Sequence, residues 1–553
     1  MPVSISPDYP FGDDHPQEEC GVVGIFAPNE DVARMTYFGL YALQHRGQEA
    51  AGIAVADGQT MALHKGVGLV SQVFTPSIMA ELKGDYAIGH TRYSTTGSSS
   101  ARNAQPFMIE TIHGPLALAH NGNLVNSAEL REELMRQGVG FSSSSDTEVM
   151  TLMLARNSEG TWEERIRRAM EKWRGAYSLV ILTRDCVYAV RDPWGFRPLC
   201  IGLLPSGGHA VASETGALRT LGCEAIRDVK PGEIVSLSNS ALRVMQALPS
   251  VTPSAMCVFE HIYFARPDQV WDGINVHHVR QRLGEELARE VLNGFVTDER
   301  MDRRMGTDES QRIETDARMG STDEGADERM GSTDEGMDAR MGATDEGTDE
   351  GTRSMDGGAD KRMMGNGFAD VVIPVPDSSI PAAIGFSRVS GIPYNDGFVK
   401  NRYVGRTFIE PTDTLRKRGV ALKFNVINEN VLGKRVIMID DSIVRGNTTG
   451  PLIKLLLNAG AREVHVAITC PPIAHPCFMG VDMGRHENLI AHKRTVDEIR
   501  EYVGADSLHY LSLDGMMKAI GRTEGFCQAC FTGNYAIEVD METVKTGFER
   551  SLR

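Results

Sequence analysis

Cys20 stands at the head of an apolar run, GVVGIFA, where a cysteine is either a small packing residue or a nucleophile. A thiol that attacks a substrate also needs a base, and donors for the charge that develops. Four polar clusters downstream hold residues of those types: Leu43 to Gly52 (LQHRGQEAAG), Gly89 to Gly97 (GHTRYSTTG), His120 to Asn123 (HNGN) and Ser144 to Glu148 (SSDTE). Their composition predicts turns at strand ends. Far along the chain, KRVIMIDDSIVRGNTTGPLIKLLLNAGA reads as a buried strand, a Gly-containing turn and a helix with Thr448, Thr449 and Pro451 in its first turn. Such a unit offers backbone N–H groups and hydroxyls to an anion at the positive helix end. Asp440 and Asp441 close the strand where a ribose or a divalent cation would lie. Successive strand residues point to opposite faces, so the two acids would do different work. GFCQACF carries Cys527 and Cys530 as a CxxC pair, open to three readings: zinc ligands, a redox dithiol, or half of an iron–sulfur set.

These residues need rigid supports. Residues 20 to about 245 alternate short apolar runs (GVVGIFA, AGIAVA, LALAHNG, SLVILT, CVYAV) with Gly and Asn turns, the pattern of antiparallel strands. Helical stretches are expected near Asp31 to Gln44 and Asp146 to Asn157, which gives an α+β sandwich. Later, ADVVIPVPD, KRVIMIDD and REVHVAIT are continuous β-rich runs that alternate with amphipathic helices, as in a doubly wound parallel sheet. The helix HHVRQRLGEELAREVLNGF is expected to join this second domain. Between them, repeats of 11 residues begin at Arg318, Arg329 and Arg340 in a tract without aromatic, Leu or Val residues. It cannot bury enough apolar surface to offset its ordering entropy, and reads as a disordered low-complexity insertion. The expected layout is a leading segment 1–19, one domain over 20–250, a second over 251–296 and 366–553, and the insertion 297–365.

Bulk properties narrow the function classes. At 553 residues the chain is too long for one core. Ten of its 17 net negative charges fall in residues 297 to 365, which hold 20 acids and 10 bases, so no nucleic-acid partner is indicated. No segment nears the roughly 18 uninterrupted apolar residues of a membrane span. The opening residues have neither secretory nor transit character, so a cytoplasmic location and reduced thiols are expected.

Cys20 and the four clusters together resemble the glutaminase domain of the N-terminal nucleophile amidotransferases, over about 200 residues. The resemblance implies carboxamide hydrolysis, with the free α-amino group of the nucleophile as base. An α-amine has a reference pKa of about 7.7 to 8.0, whereas an amide nitrogen is no base. Residues 1–19 would therefore be a propeptide, removed after Glu19. By the same resemblance Arg92 would pair with the glutamine α-carboxylate and Asp146 with its α-ammonium group. The Asn121 side chain and the Gly122 N–H would form the oxyanion hole.

Val436 to Thr448 resembles the phosphoribosyl pyrophosphate fingerprint of type I phosphoribosyltransferases. VIPVPDSS (Val372 to Ser379) and GFVKNRYVGRTFI (Gly397 to Ile409) resemble further parts of the amidophosphoribosyltransferase family. The implied fold is an α+β N-terminal nucleophile sandwich followed by an α/β doubly wound type I phosphoribosyltransferase domain. Ser378, Asp440 and Asp441 would hold Mg2+ with the substrate; Ser442, Arg445, Gly446, Asn447, Thr448 and Thr449 would bind its 5-phosphate. Lys400, Arg406 and Lys423 would face the pyrophosphate, and Tyr403 would sit at an ammonia channel completed when residues 403–425 close. Cys257, Cys477, Cys527 and Cys530 fall where the iron–sulfur subgroup places the ligands of one [4Fe-4S] cluster. Cys186, Cys200, Cys223 and Cys470 read as packing. Purine nucleotide inhibitors and a homo-oligomer, dimer or tetramer, are further implications of the resemblance. A purine-responsive repressor would need a basic DNA-binding domain and would leave Cys20, Arg92, Asn121 and Asp146 without a task.

Overall fold

The computed structural model describes residues 20–93, 100–156, 159–239, 241–293, 368–401, 423–483 and 486–539. The leading segment, the 297–365 tract, Tyr403, Arg406 and most of the loop expected to close lie outside the described residues. Packing divides the chain into two units, Met1–Arg289 with Phe368–Arg553, and Glu290–Gly367.

Strand Gly21–Phe26 shows why its sequence is apolar at every position. Alternate side chains of a strand point to opposite faces. Here Val22 and Phe26 enter a core between two sheets, while Val23 and Ile25 pack in a second core with Val32, Ala33 and Leu40 of the helix Val32–Ala42. Both faces are covered, so no position is left for a polar residue. The strand lies within a seven-stranded antiparallel sheet, between Tyr86–Arg92 and His209–Ala212. A second, six-stranded sheet faces it, with Gly114–Leu124 paired to Phe107–Thr111 and Gly175–Leu182. Val22, Ile88 and Val211 of the first sheet meet Ala119 and Val180 of the second. The outer side of the second sheet is covered by Ser127–Arg136, Asp146–Arg156 and Trp162–Met170 through Leu130, Met150, Leu154 and Ile166.

One expectation needs correction: the helices Ser127–Arg136 and Trp162–Met170 are additional, because single apolar residues at three- and four-residue spacing suffice to bury one stripe. HNGN lies at the end of its strand, as the run LALAHNG predicts: His120 to Asn123 are inside Gly114–Leu124, in register with Leu179, Ser178, Tyr177 and Ala176.

The second domain is built on four parallel strands in the order Val371–Pro374, Arg435–Asp440, Glu463–Ile468 and Ser507–Tyr510. Residues 276 to 289 are helical and pack on the helix Ile380–Ser390. A side chain on Gly284 would lie 1.8 Å from the carbonyl oxygen of Ala382, and one on Gly385 would lie 1.9 Å from that of Gln281. Only glycine allows the two backbones to approach this closely. Among the described residues no helix is long and apolar enough to cross a membrane.

Candidate active sites and a four-thiol cavity

The first strand begins at Gly21, which puts Cys20 at a sheet edge beside the end of Tyr86–Arg92. One small cavity is lined by Cys20, Arg92, Tyr93, Gln105, His120, Gly122, Ser145 and Asp146. It therefore gathers four of the five residues assigned from sequence to one site. The Cys20 thiol donates to the Tyr93 carbonyl at 3.3 Å and accepts from the Tyr93 N–H at 3.4 Å. Burial pushes it up to about 11, against the opposing pull of the Tyr93 N–H and the Arg92 charge. A thiol held that high needs a base close by to act at neutral pH.

Asp146 is the first residue of its helix, buried, and accepts from the Leu124 N–H at 3.1 Å. Burial would raise its carboxyl, but the neighbouring His120, 3.5 Å from Oδ2, and these hydrogen bonds keep it below the usual carboxylate range. Arg92 is 3% exposed, with Glu49 3.9 Å away. Asn121, the fifth residue, carries a buried Nδ2 without a hydrogen-bond partner among the described residues. An unpaired buried donor is costly.

Arg46, within LQHRGQEAAG, has a task that the sequence does not indicate. It is 1% exposed; its Nε donates to the Cys20 carbonyl at 3.3 Å, Nη1 to Glu214 at 2.7 Å, and Nη2 to Glu260 at 2.7 Å. It ties the Cys20 backbone to two buried carboxylates. The signal available was a cation inside a motif; its partners lie 168 and 214 residues away.

At the carboxyl edge of the parallel sheet, Asp440 ends its strand and Asp441 follows it, each 1% exposed. They engage different groups. Asp440 Oδ1 accepts from Ser379 at 3.3 Å and from the Asp441 N–H at 2.9 Å. Asp441 accepts from Ser378 at 2.6 Å and Ser442 at 2.8 Å. The turn runs through Arg445 and Gly446 (φ +78°) to Asn447 and Thr448, and the helix Thr449–Asn458 begins. Thr448 caps that helix without a side-chain bond to its N–H groups, and the buried Thr449 hydroxyl has no partner among the described residues. Lys400 pairs with Asp377 at 3.0 Å and lies opposite Phe424 in the hairpin Phe398–Lys400 and Phe424–Val426, while the Lys423 carbonyl accepts from the Asn401 N–H at 2.8 Å.

Cys257, Cys477, Cys527 and Cys530 line one apolar cavity with Phe196, Phe259, Phe478, Met479 and Tyr535. Met256 and Cys257 pair in parallel with Phe526 and Cys527. Burial pushes the Cys257 thiol up to about 12 and that of Cys527 to about 11. Among the described residues no group of three or more His, Cys, Asp or Glu is placed to hold one metal ion. All nine cysteines are free, and Cys186, Cys200, Cys223 and Cys470 are buried.

A family model described as a glutamine amidotransferase domain matches residues 90–220. The chain is 43% identical to the amidophosphoribosyltransferase of Synechococcus elongatus, over 96% of this chain and 93% of that protein. It is 40% identical to the amidophosphoribosyltransferase of Bacillus subtilis, over 95% and 96%. A solved structure, glutamine phosphoribosylpyrophosphate amidotransferase from B. subtilis complexed with ADP and GMP, superimposes with a TM-score of 0.76 at 40% identity. That match covers 95% of this chain and 99% of the other.

Proposed function

Because the chain belongs to the amidophosphoribosyltransferase family, we propose that it converts glutamine, phosphoribosyl pyrophosphate and water to 5-phosphoribosylamine, glutamate and pyrophosphate, the first step of purine synthesis. The gathering of Cys20, Arg92, Gly122 and Asp146 around one cavity carries this reading. Arg92 receives the α-carboxylate of glutamine as a fork, and Asp146 the α-ammonium group. The Cys20 thiol passes its proton to its own α-amine, which exists once residues 1–19 are removed, and sulfur attacks the carboxamide carbon. Asn121 Nδ2 and the Gly122 N–H take up the oxyanion. Ammonia leaves, and water releases glutamate from the thioester.

At the second site ammonia attacks the anomeric carbon of phosphoribosyl pyrophosphate as pyrophosphate departs. Ser442 and residues Arg445 to Thr449 hold the 5-phosphate at the helix end; Lys400, Arg406 and Lys423 face the pyrophosphate. Oxygen donors from Ser378, Asp440 and Asp441 suit a hard divalent cation, and they would hold Mg2+ beside the substrate. Bound there, Mg2+ offsets charge on the leaving diphosphate. Four thiols lining one apolar cavity match the four thiolate ligands of a [4Fe-4S] cluster, and such a cluster would cross-link chain segments far apart in sequence. The ADP and GMP held by the Bacillus relative support purine nucleotides as inhibitors. Closure of residues 403–425, with Tyr403 at an ammonia path, a dimer or tetramer, and a cytoplasmic location complete the proposal.

Purified protein mixed with glutamine and phosphoribosyl pyrophosphate should yield glutamate and pyrophosphate in equal amounts. Cys20→Ala should abolish glutamine use and leave ammonia use intact. Glutamine-dependent turnover by that variant would overturn the reading.

A further inference from the structure

The wall of the four-thiol cavity touches the back of the glutamine site. Gly480 (φ +108°) lies against Gly122 so closely that a side chain there would meet the Gly122 carbonyl carbon at 3.0 Å and its Cα at 3.1 Å. The preceding residues are tied to the same region. Asn123 Nδ2 donates to the Phe478 carbonyl at 2.9 Å, and Arg197 donates twice to the Met479 carbonyl, from Nε at 2.9 Å and Nη2 at 2.6 Å. The Met479 N–H donates to Cys477 Sγ at 3.3 Å. Arg197 is itself fixed by a turn in which Asp192 accepts from the N–H groups of Trp194, Gly195 and Phe196. Gly122 itself has no space for a side chain, which would lie 2.0 Å from the Ala176 carbonyl oxygen.

We infer that Cys477 to Gly480 form a strap that sets the position of the Gly122 N–H, making Gly480 and Asn123 positioning residues for amide hydrolysis. The inference rests on the reading of Gly122 as an oxyanion donor. It gives the cavity a task beyond cross-linking, because a strap anchored through Cys477 holds one catalytic donor in place. Oxyanion stabilisation depends on donors placed within a few tenths of an ångström, so a slack strap weakens the transition state without touching substrate binding.

The test uses the whole enzyme, purified without oxygen, as Gly480→Ala and Asn123→Ala. Both should lower glutamine-dependent kcat about 10-fold, less than the roughly 100-fold or more of a deleted oxyanion donor. The KM for glutamine, ammonia-dependent activity and the visible absorption of any thiol-bound iron should stay at wild-type values. Affinity for the aldehyde analogue of glutamine, whose hemithioacetal with Cys20 needs the same donors, should fall by the same factor, while glutamate affinity should not. Should Gly480→Ala fail to fold, Asn123→Ala still decides, since it removes a tether and adds no atom. Full glutamine-dependent kcat in Asn123→Ala, or parallel loss of both activities, would overturn the strap. If Asn121→Ala also left kcat intact, the oxyanion reading itself would fall. Protein without iron that still shows the split effect would refute the cluster and uphold the strap.

Discussion

Arg46 reaches from the main-chain carbonyl of Cys20, 3.3 Å from its Nε, to the carboxylates of Glu214 and Glu260, each 2.7 Å from its guanidinium. All three charged side chains are buried. Removing the cation strands Glu260 in the core and leaves Glu214 with His45, a change that costs about 3–5 kcal/mol when one partner of a buried pair is lost. Arg46→Ala should show that loss in urea unfolding of the whole enzyme, together with loss of glutamine-dependent activity. Unchanged stability would mean that water or another cation reaches Glu214 and Glu260.

The same network sets an acid limit. Burial would raise the Glu214 carboxyl, but His45 and Arg46 outweigh it and hold it at about 2 against a usual 4.5. A carboxyl whose folded pKa is depressed stabilises the fold fully above its unfolded value and loses that contribution as pH falls. The window here is pH 4.5 down to about 2. Glu214→Gln should be less stable than wild type at pH 7 and lose less stability across that window; parallel curves would contradict the assignment.

At the second site, the proposed phosphate contact includes the buried Thr449 hydroxyl, which has no partner among the described residues. A hydrogen bond to a charged group contributes about 1.5–3 kcal/mol, or roughly 10- to 100-fold in affinity. Thr449→Val should raise the KM for phosphoribosyl pyrophosphate by that factor in the ammonia-dependent assay. Asp441→Asn should abolish product formation from either nitrogen source. A normal KM in Thr449→Val would remove that hydroxyl from the phosphate site.

Iron and acid-labile sulfide, measured in protein purified without oxygen, should each approach about four per chain. Cys477→Ser should lose most of both. One equivalent of zinc in their place would replace the cluster with a mononuclear site.

What the sequence revealed follows from the range of each interaction. Cys20, Arg92, Gly122 and Asp146, which line one cavity, could be singled out because each sits in a short local motif that carries the resemblance to a glutaminase domain. The parallel strands were legible because both their faces are buried, giving continuous apolar runs such as Arg435–Asp440. Arg46 was not assigned, since its task appears only when Glu214 and Glu260 fold onto it. Asn and Gly of HNGN favour turns locally, whereas pairing with Ser178 and Tyr177 keeps them in the strand that the run LALAHNG predicts. Helices Ser127–Arg136 and Trp162–Met170 were missed because their apolar stripes are short and interrupted by charge. The four cysteines were identifiable by type. That Cys477 leads through Met479 and Gly480 to the back of Gly122 required the fold.

The claim that Cys20 is an amino-terminal nucleophile is tested most directly by the intact mass of the active enzyme. As encoded, Cys20 follows Glu19 and its nitrogen is an amide. The mass should correspond to a chain that begins at Cys20, with glutamine-dependent activity present only in that form. A fully active chain that still begins at Met1 or Pro2 would contradict the account.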